Sequence, residues 1–172
     1  MTALLIAAFA VIAALMLGEM RLSRRNERAL QAAGAVEADG DVYRAMQWAY
    51  PGAFAAMAIE GLLRGGPGEL LLAAGAAVFT ASKALKYWAI ASLGASWSFR
   101  VLVVPGLPLV TTGPYRLLRH PNYIGVAGEL VGSAMLFGAP IAGVLGTLFF
   151  AELLRRRIKV ENRALGLDRR SP

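Results

Sequence analysis

Residues 2–18 read TALLIAAFAVIAALMLG, an unbroken run without a charged side chain, and the nature of this run decides the fold class. Such a length reaches the lower limit for a helix crossing the ~30 Å hydrocarbon of a bilayer. A secretory signal would carry a basic stretch before it and small residues at a cleavage site after it. Here no basic residue precedes the run, and Glu19–Met20–Arg21 follows it. We read it as a retained spanning helix. The whole chain agrees: of 172 residues 57% are apolar and only 17% charged, with a mean hydropathy of +0.54. Soluble domains average ~45–50% apolar and ~25% charged, so too little polar surface remains to coat a soluble globule. Disorder, collagen and coiled coil are excluded on the same composition. The expectation is an all-α integral membrane protein in one domain, residues 1–172.

Outward from that first run, Arg21–Arg44 is charged, and its first part, Arg21–Ala33, reads as an amphipathic helix lying at the interface. Spans are expected over Ala45–Leu63 and Glu69–Leu93, divided by the turn Arg64–Gly–Gly–Pro–Gly68. Residues 1–93 thus supply three spanning helices with a cytoplasmic amphipathic segment. In residues 94–172, Ser96–Thr112 contains Pro105, Gly106 and Pro108 and should be an extended loop outside the hydrocarbon. Tyr123–Phe137 and Ile141–Leu154, broken at Gly138–Ala–Pro140, read as a helical hairpin running on into a basic tail. The expected total is five transmembrane helices.

Net charge is +7, but its distribution points to topology and not to nucleic acid. Arg21–Arg44, Ser96–Asn122 and the tail after Leu154 hold 5, 3 and 7 basic residues, while the opposite side has only Arg64. The N-terminus is therefore expected outside and the C-terminus in the cytoplasm, with Lys83 and Lys86 snorkelling toward the cytoplasmic surface. The chain has no cysteine and a single histidine, His120, which excludes disulfides, thiol catalysis and a multi-histidine metal centre.

Chemistry concentrates in GPYRLLRHPNYIG, residues 113–125, where the loop enters the fourth span. Pro121 suits a first helical position, with His120 or Asn122 as the cap. Free N–H groups there would favour an anionic group such as a carboxylate. Tyr115 and Tyr123 offer faces for a purine or a cation; equally, arginines and tyrosines are ordinary interface anchors. Arg157 and Glu161 share a helix face four residues apart. They form either an exposed ion pair worth well under ~1 kcal/mol or a face folding back to close a pocket. Intramembrane acids are costly. Glu129, inside the close-packing pattern Gly128–Glu–Leu–Val–Gly132, is a pocket candidate or a buried acid bonded to Ser or Tyr. Glu60 is expected to pair with Arg64.

GPYRLLRHPNYIG, followed some thirty residues later by RIKVENRAL (157–165), resembles the isoprenylcysteine carboxyl methyltransferase family, with a related pattern in phosphatidylethanolamine methyltransferases. The resemblance is best over residues 84–165, and RLSRRNERALQAAGAVEADG (21–40) is similar to the first cytoplasmic segment of short bacterial members, some associated with O-methylation of long-chain phenols and pyrones. It implies an S-adenosylmethionine (SAM) site without a Rossmann GxGxxG. Leu107, Pro108, Leu109 and Val110 would line the cofactor. Tyr115, His120, Pro121, Asn122 and Tyr123 would hold its amino-acid and adenosine parts, and Glu161 its polar groups. Arg157 matches the position that meets the substrate's acidic group, and Arg100 stands at a substrate-side position. The family's second acid is Asn162 here. Arg157 or Arg100 would stabilise a phenolate, and Glu129 or His120 would take its proton.

The expected protein is thus a monomeric enzyme of the bacterial inner membrane that methylates a lipid-like acceptor, with no metal and no nucleic-acid partner. A phenol or pyrone hydroxyl ranks first, a prenylated cysteine carboxylate second and a phospholipid amine third. The rival of another class is a non-catalytic lipid-binding bundle.

Overall fold

The computed structural model describes residues 1–167 and is built from five α-helices: α1 (Thr2–Ala32), α2 (Tyr43–Arg64), α3 (Glu69–Leu93), α4 (Pro121–Phe137) and α5 (Pro140–Ala164). Two-residue strands β1 (Val36–Glu37) and β2 (Leu102–Val103) pair antiparallel, Val36 against Val103 and Glu37 against Leu102. Arg169 and Arg170 of the basic tail lie outside the described residues. Two helices, Thr2–Ala32 and Glu69–Ser96, are long and apolar enough to cross a membrane.

Burial departs from that of a soluble globule at its surface and in its charges. Val11, Leu63, Leu70, Val144, Leu145 and Phe149 are exposed on the outer helix faces, while Glu19, Lys83, Lys86, Glu129 and Arg157 are buried. Large exposed apolar faces mark a partner surface, and lipid is the partner this distribution suits. The apolar core gathers Leu5, Ile12, Phe54, Met57, Leu130, Phe137 and Phe150.

The helices meet through small residues, as membrane helices generally do. A Cβ on Gly75 of α3 would lie 2.4 Å from the Leu136 nitrogen, and one on Gly132 of α4 2.5 Å from the Phe79 nitrogen. Backbones therefore touch where the Gly128–Gly132 pattern placed a close approach. The turn after α2 passes through Gly65 and Gly66 at φ +81° and +88°, values that suit residues without a Cβ. Glu60 pairs with Arg64 Nε at 2.8 Å, as expected, and also accepts the N–H groups of Ile141 and Ala142 at the start of α5. It thereby serves as the cap α5 lacks in its own sequence.

Two expectations need correcting. Residues 21–32 do not form a separate helix lying at the interface; α1 continues unbroken through them. At 1.5 Å per residue the helix is roughly 46 Å long, so this end stands beyond the hydrocarbon. The cause is its polar stripe. Ser23 accepts the Phe99 N–H at 2.8 Å, and Asn26 donates to the carbonyls of Gly94 (3.2 Å) and Trp97 (2.8 Å), bonds that hold the helix upright against the loop. Lys83 and Lys86 do not snorkel either. They are 7% and 2% exposed, turned inward onto Glu19 and Glu129, because four compensating charges in one place cost less than two lone ammoniums.

Candidate functional site

A cavity of about 680 Å³ opens at the end of the bundle bearing the loop, within the ~300–1,000 Å³ usual for ligand sites. Its wall combines the 96–110 loop, the entry to α4, the far part of α5 and the facing sides of α1 and α2. The two sequence segments singled out, 113–125 and 157–165, thus share one chamber.

Loop residues Leu107, Pro108, Leu109 and Val110 line it, as do Tyr115, His120, Asn122 and Tyr123. Pro121 is fully buried and does not line the cavity; it takes the first helical position of α4, where a missing N–H costs nothing. His120 is the cap residue but makes no side-chain capping bond. The N-terminal cradle is narrower than expected: the N–H groups of Tyr123 and Ile124 are both bonded to the His120 carbonyl, and Pro121 has none.

Side chains knit the two segments together. The Tyr123 hydroxyl donates to Glu161 and accepts from Arg157 Nε at 2.9 Å. The His120 ring stacks on Tyr123 with centroids 5.5 Å apart. Its Nε2 lies 3.0 Å from Asn162 Oδ1, and its Nδ1 3.8 Å from Glu161. Asn162 therefore touches the histidine from the place where a second acid would stand. Asn122 Oδ1 is buried with no hydrogen-bond partner among the described residues, an acceptor left for an N–H that the chain does not supply. Burial, with Glu161 adding to it, pushes the Tyr115 phenol well above its usual pKa, so it lines the cavity as a neutral hydroxyl.

The arginines have partners. Arg157 does not form the exposed pair with Glu161 that spacing alone favoured; it is 5% exposed and donates to Asp41 Oδ1 at 2.7 Å, to the Phe99 carbonyl and to Tyr123. The face folds back and closes the chamber. Arg100 pairs with Glu37 at 2.8 Å and more distantly with Glu27, over the Tyr43 ring. Glu129 does not line the cavity. It lies behind Tyr50 and Lys86, which do; Tyr50 donates to its Oε2, and Lys83 and Lys86 lie 2.9 and 3.4 Å from the same oxygen.

Sequence reasoning missed Asp41, Tyr50 and Glu19. An acid directly after an apolar run was a signal for Glu19. Nothing local marked Asp41 or Tyr50, whose roles arise from partners 116 and 79 residues away.

A family model described as isoprenylcysteine carboxyl methyltransferase (ICMT) family matches residues 74–166, a stretch that includes both segments and the loop between α3 and α4. Among curated proteins, the uncharacterized protein YpbQ of Bacillus subtilis is 36% identical over 147 residues, covering 86% of this chain and 88% of its own length. An uncharacterized protein of Haemophilus influenzae is 25% identical over 158 residues, covering 91% of this chain and 92% of its own. No solved structure matches the chain.

Proposed function

The chain belongs to the isoprenylcysteine carboxyl methyltransferase family, and from that premise we propose that it transfers a methyl group from SAM to an oxygen of a lipid-like acceptor. The supporting observation is the single chamber shared by the loop, the α4 entry and α5, with Asn122 Oδ1 unpartnered in its wall.

The donor set suits SAM. Asn122 Oδ1 and the Glu161 carboxylate would accept from its amino groups and ribose hydroxyls, and Tyr115, His120 and Tyr123 would flank its rings. Leu107, Pro108, Leu109 and Val110 would cover its apolar parts, while Pro121 fixes the start of α4 beneath it. When bound, SAM supplies a sulfonium-activated methyl group. The chain's own contribution is to position the acceptor and exclude water, so that separated charges lose more solvation than the transition state does.

Among acceptors, the hydroxyl of an alkylated phenol or pyrone fits best. The buried cations on the wall, Lys86 and Arg157, are already matched by carboxylates, and Arg100 is matched by Glu37. A neutral hydroxyl enters such a wall without needing a new counter-charge. Arg157 and Arg100 then shape the substrate side from their paired positions, and Glu129 or His120 receives the proton. A carboxylate acceptor is the second reading, favoured by Arg24, an exposed residue that lines the cavity with no ion pair among the described residues. The membrane setting completes the proposal: five spans in a bacterial inner membrane, N-terminus outside, C-terminus inside, functioning as a monomer.

Binding of SAM to the purified protein in detergent tests the site. His120→Ala and Glu161→Ala should each weaken it about tenfold or more, a loss of ~1.4 kcal/mol. Unchanged affinity in both overturns the assignment and leaves the lipid-binding bundle. Membranes incubated with methyl-labelled SAM should accumulate label in neutral phenolic lipids; label in phosphatidylethanolamine derivatives would refute O-methylation.

A further inference from the structure

A buried charge cluster beside the chamber takes no role in the cofactor contacts proposed above. Glu19 of α1 accepts from Lys83 at 3.0 Å and Lys86 at 2.6 Å; Glu129 of α4 faces the same two ammoniums and accepts the Tyr50 hydroxyl. Two acids and two bases sum to zero charge. Burying them where the helices are apolar is costly, and packing alone gives no reason for it. One side of the cluster reaches the cavity, where Tyr50, Lys86 and Glu19 line the wall. Behind them Glu129 accepts the Tyr50 hydroxyl on Oε2, while its Oε1 is buried with no hydrogen-bond partner among the described residues, so the carboxylate is not saturated by the ammoniums and the phenol.

The cluster also stands next to the proposed cofactor residues without being one of them. Glu129 follows Tyr123 by six residues, about 9 Å along α4, and Tyr50 packs on Phe150 at 5.0 Å, so an acceptor oxygen beside Tyr50 stays within reach of the cofactor. A hydroxyl acceptor must lose a proton before or as its oxygen is methylated, and a phenol near pKa ~10 keeps that proton at neutral pH.

We propose that Tyr50 faces the acceptor's reacting hydroxyl and relays its proton to Glu129, with Lys86 beside the oxyanion that results. This rests on the O-methylation reading above. The acceptor O–H bond breaks and its proton goes to Tyr50 Oη, while the Tyr50 proton passes to Glu129. The electron pair left on the acceptor oxygen forms the O–CH₃ bond. The S–CH₃ bond breaks with its pair returning to sulfur, leaving a neutral thioether. The cluster goes from net zero to +1 as the acceptor goes to −1, so the chamber's total charge does not change during the relay. Protonated Glu129 loosens its hold on the ammoniums, which turns Lys86 toward the new anion. Tyr50 is thus a catalytic residue, and Glu129, reached through it, a proton store.

The test needs no turnover. 2-Nitro-4-nonylphenol, whose phenolate absorbs visibly, is bound to the purified full chain in detergent without SAM and titrated. An internal relay moves a proton without exchanging it with solvent. A fraction of bound phenolate that does not change with pH, persisting below the micelle midpoint, is therefore expected in the wild type. It should disappear in Tyr50→Phe, which removes only a hydroxyl and keeps the packing on Phe54 and Phe150, and in Glu129→Gln. A wild-type probe titrating on a single curve, or a plateau retained in Tyr50→Phe, overturns the relay. In a second arm, methyl-labelled SAM is supplied with 4-nonylphenol. Tyr50→Phe should transfer label about 100-fold more slowly, with much of the loss absent for the nitro acceptor, which ionises unaided. A plateau without label transfer by the wild type overturns the methyltransferase reading and leaves the relay standing.

Discussion

Asp41 shows how much of the site depends on one side chain outside the recognisable segments. Its Oδ1 accepts from Arg157 at 2.7 Å and from the Tyr43 N–H, and its Oδ2 accepts the Val101 N–H at 2.9 Å. It thereby ties α5, the start of α2 and the loop into one wall. Removing one partner of a buried ion pair leaves the other charge uncompensated, at ~3–5 kcal/mol. Asp41→Asn should therefore lower the detergent melting temperature sharply. Asp41→Asn with Arg157→Gln should lose much less than the sum of the single losses, since neither charge is then stranded. Additive losses in that cycle would show that the pair is not coupled. Arg157→Lys should not restore the wild type, because one ammonium cannot serve a carboxylate, a carbonyl and a hydroxyl in the guanidinium's fixed fork. The Tyr123–Glu161 contact emerged only from the fold, although the family resemblance put both residues at one site; the buried Glu129 was legible as an acid bonded to Ser or Tyr. Asp41 was not: a lone acid in a polar connector looks the same whether solvated or buried, and only folding brings Arg157 to it.

At the scale of elements, hydropathy placed α3 at its observed ends and α2 within two residues at its start. It failed at α1, where the apolar run ends but the helix does not. Helix propagation needs only that each new turn find partners or water, and Arg21–Ala32 finds the loop carbonyls. Apolarity reports what faces lipid; it says nothing about a helix that continues to serve a loop. The α3–α4 seam was legible in the spacing of Gly128 and Gly132, whereas its counterpart Gly75 emerged only from packing. Gly75→Ala puts a Cβ 2.4 Å from the Leu136 nitrogen and 2.8 Å from the Gly132 carbonyl, both backbone atoms that cannot swing away. The two helices must part, at a cost of ~1–3 kcal/mol as for other overpacked sites, read as a lower melting temperature. Gly18→Ala in α1 meets nothing within 4 Å and should be neutral or stabilising by up to ~1 kcal/mol, since glycine is a poor helix former. Equal effects at the two positions would show that the seam is not tight.

For the whole molecule, the governing quantity is the sidedness of charge. The polar end of α1 with the first turn of α2, the 96–122 loop and the outgoing end of α5 carry the bulk of the arginines, and they are also the parts that meet around the chamber. The α2–α3 and α4–α5 turns lie at the other end, where Glu60 joins them and Arg64 is the sole basic residue of the two turns. On the proposed topology, with Lys and Arg enriched on the cytoplasmic side, the chamber would face the compartment where SAM is made, and the lipid-facing flanks of α1 and α2 would be left for the acceptor. Because the chain contains no cysteine, single introduced thiols report sidedness without background. Gly68→Cys, exposed before α3 with open space around its Cβ, should react with a membrane-impermeant maleimide in intact spheroplasts. Asp39→Cys and Arg119→Cys, both exposed at the chamber end, should react only after the membrane is opened. The reverse pattern would invert the topology and place the chamber away from the cytoplasm, where the supply of SAM could not reach it. Labelling of all three in intact cells would mean that these helices do not separate two compartments at all.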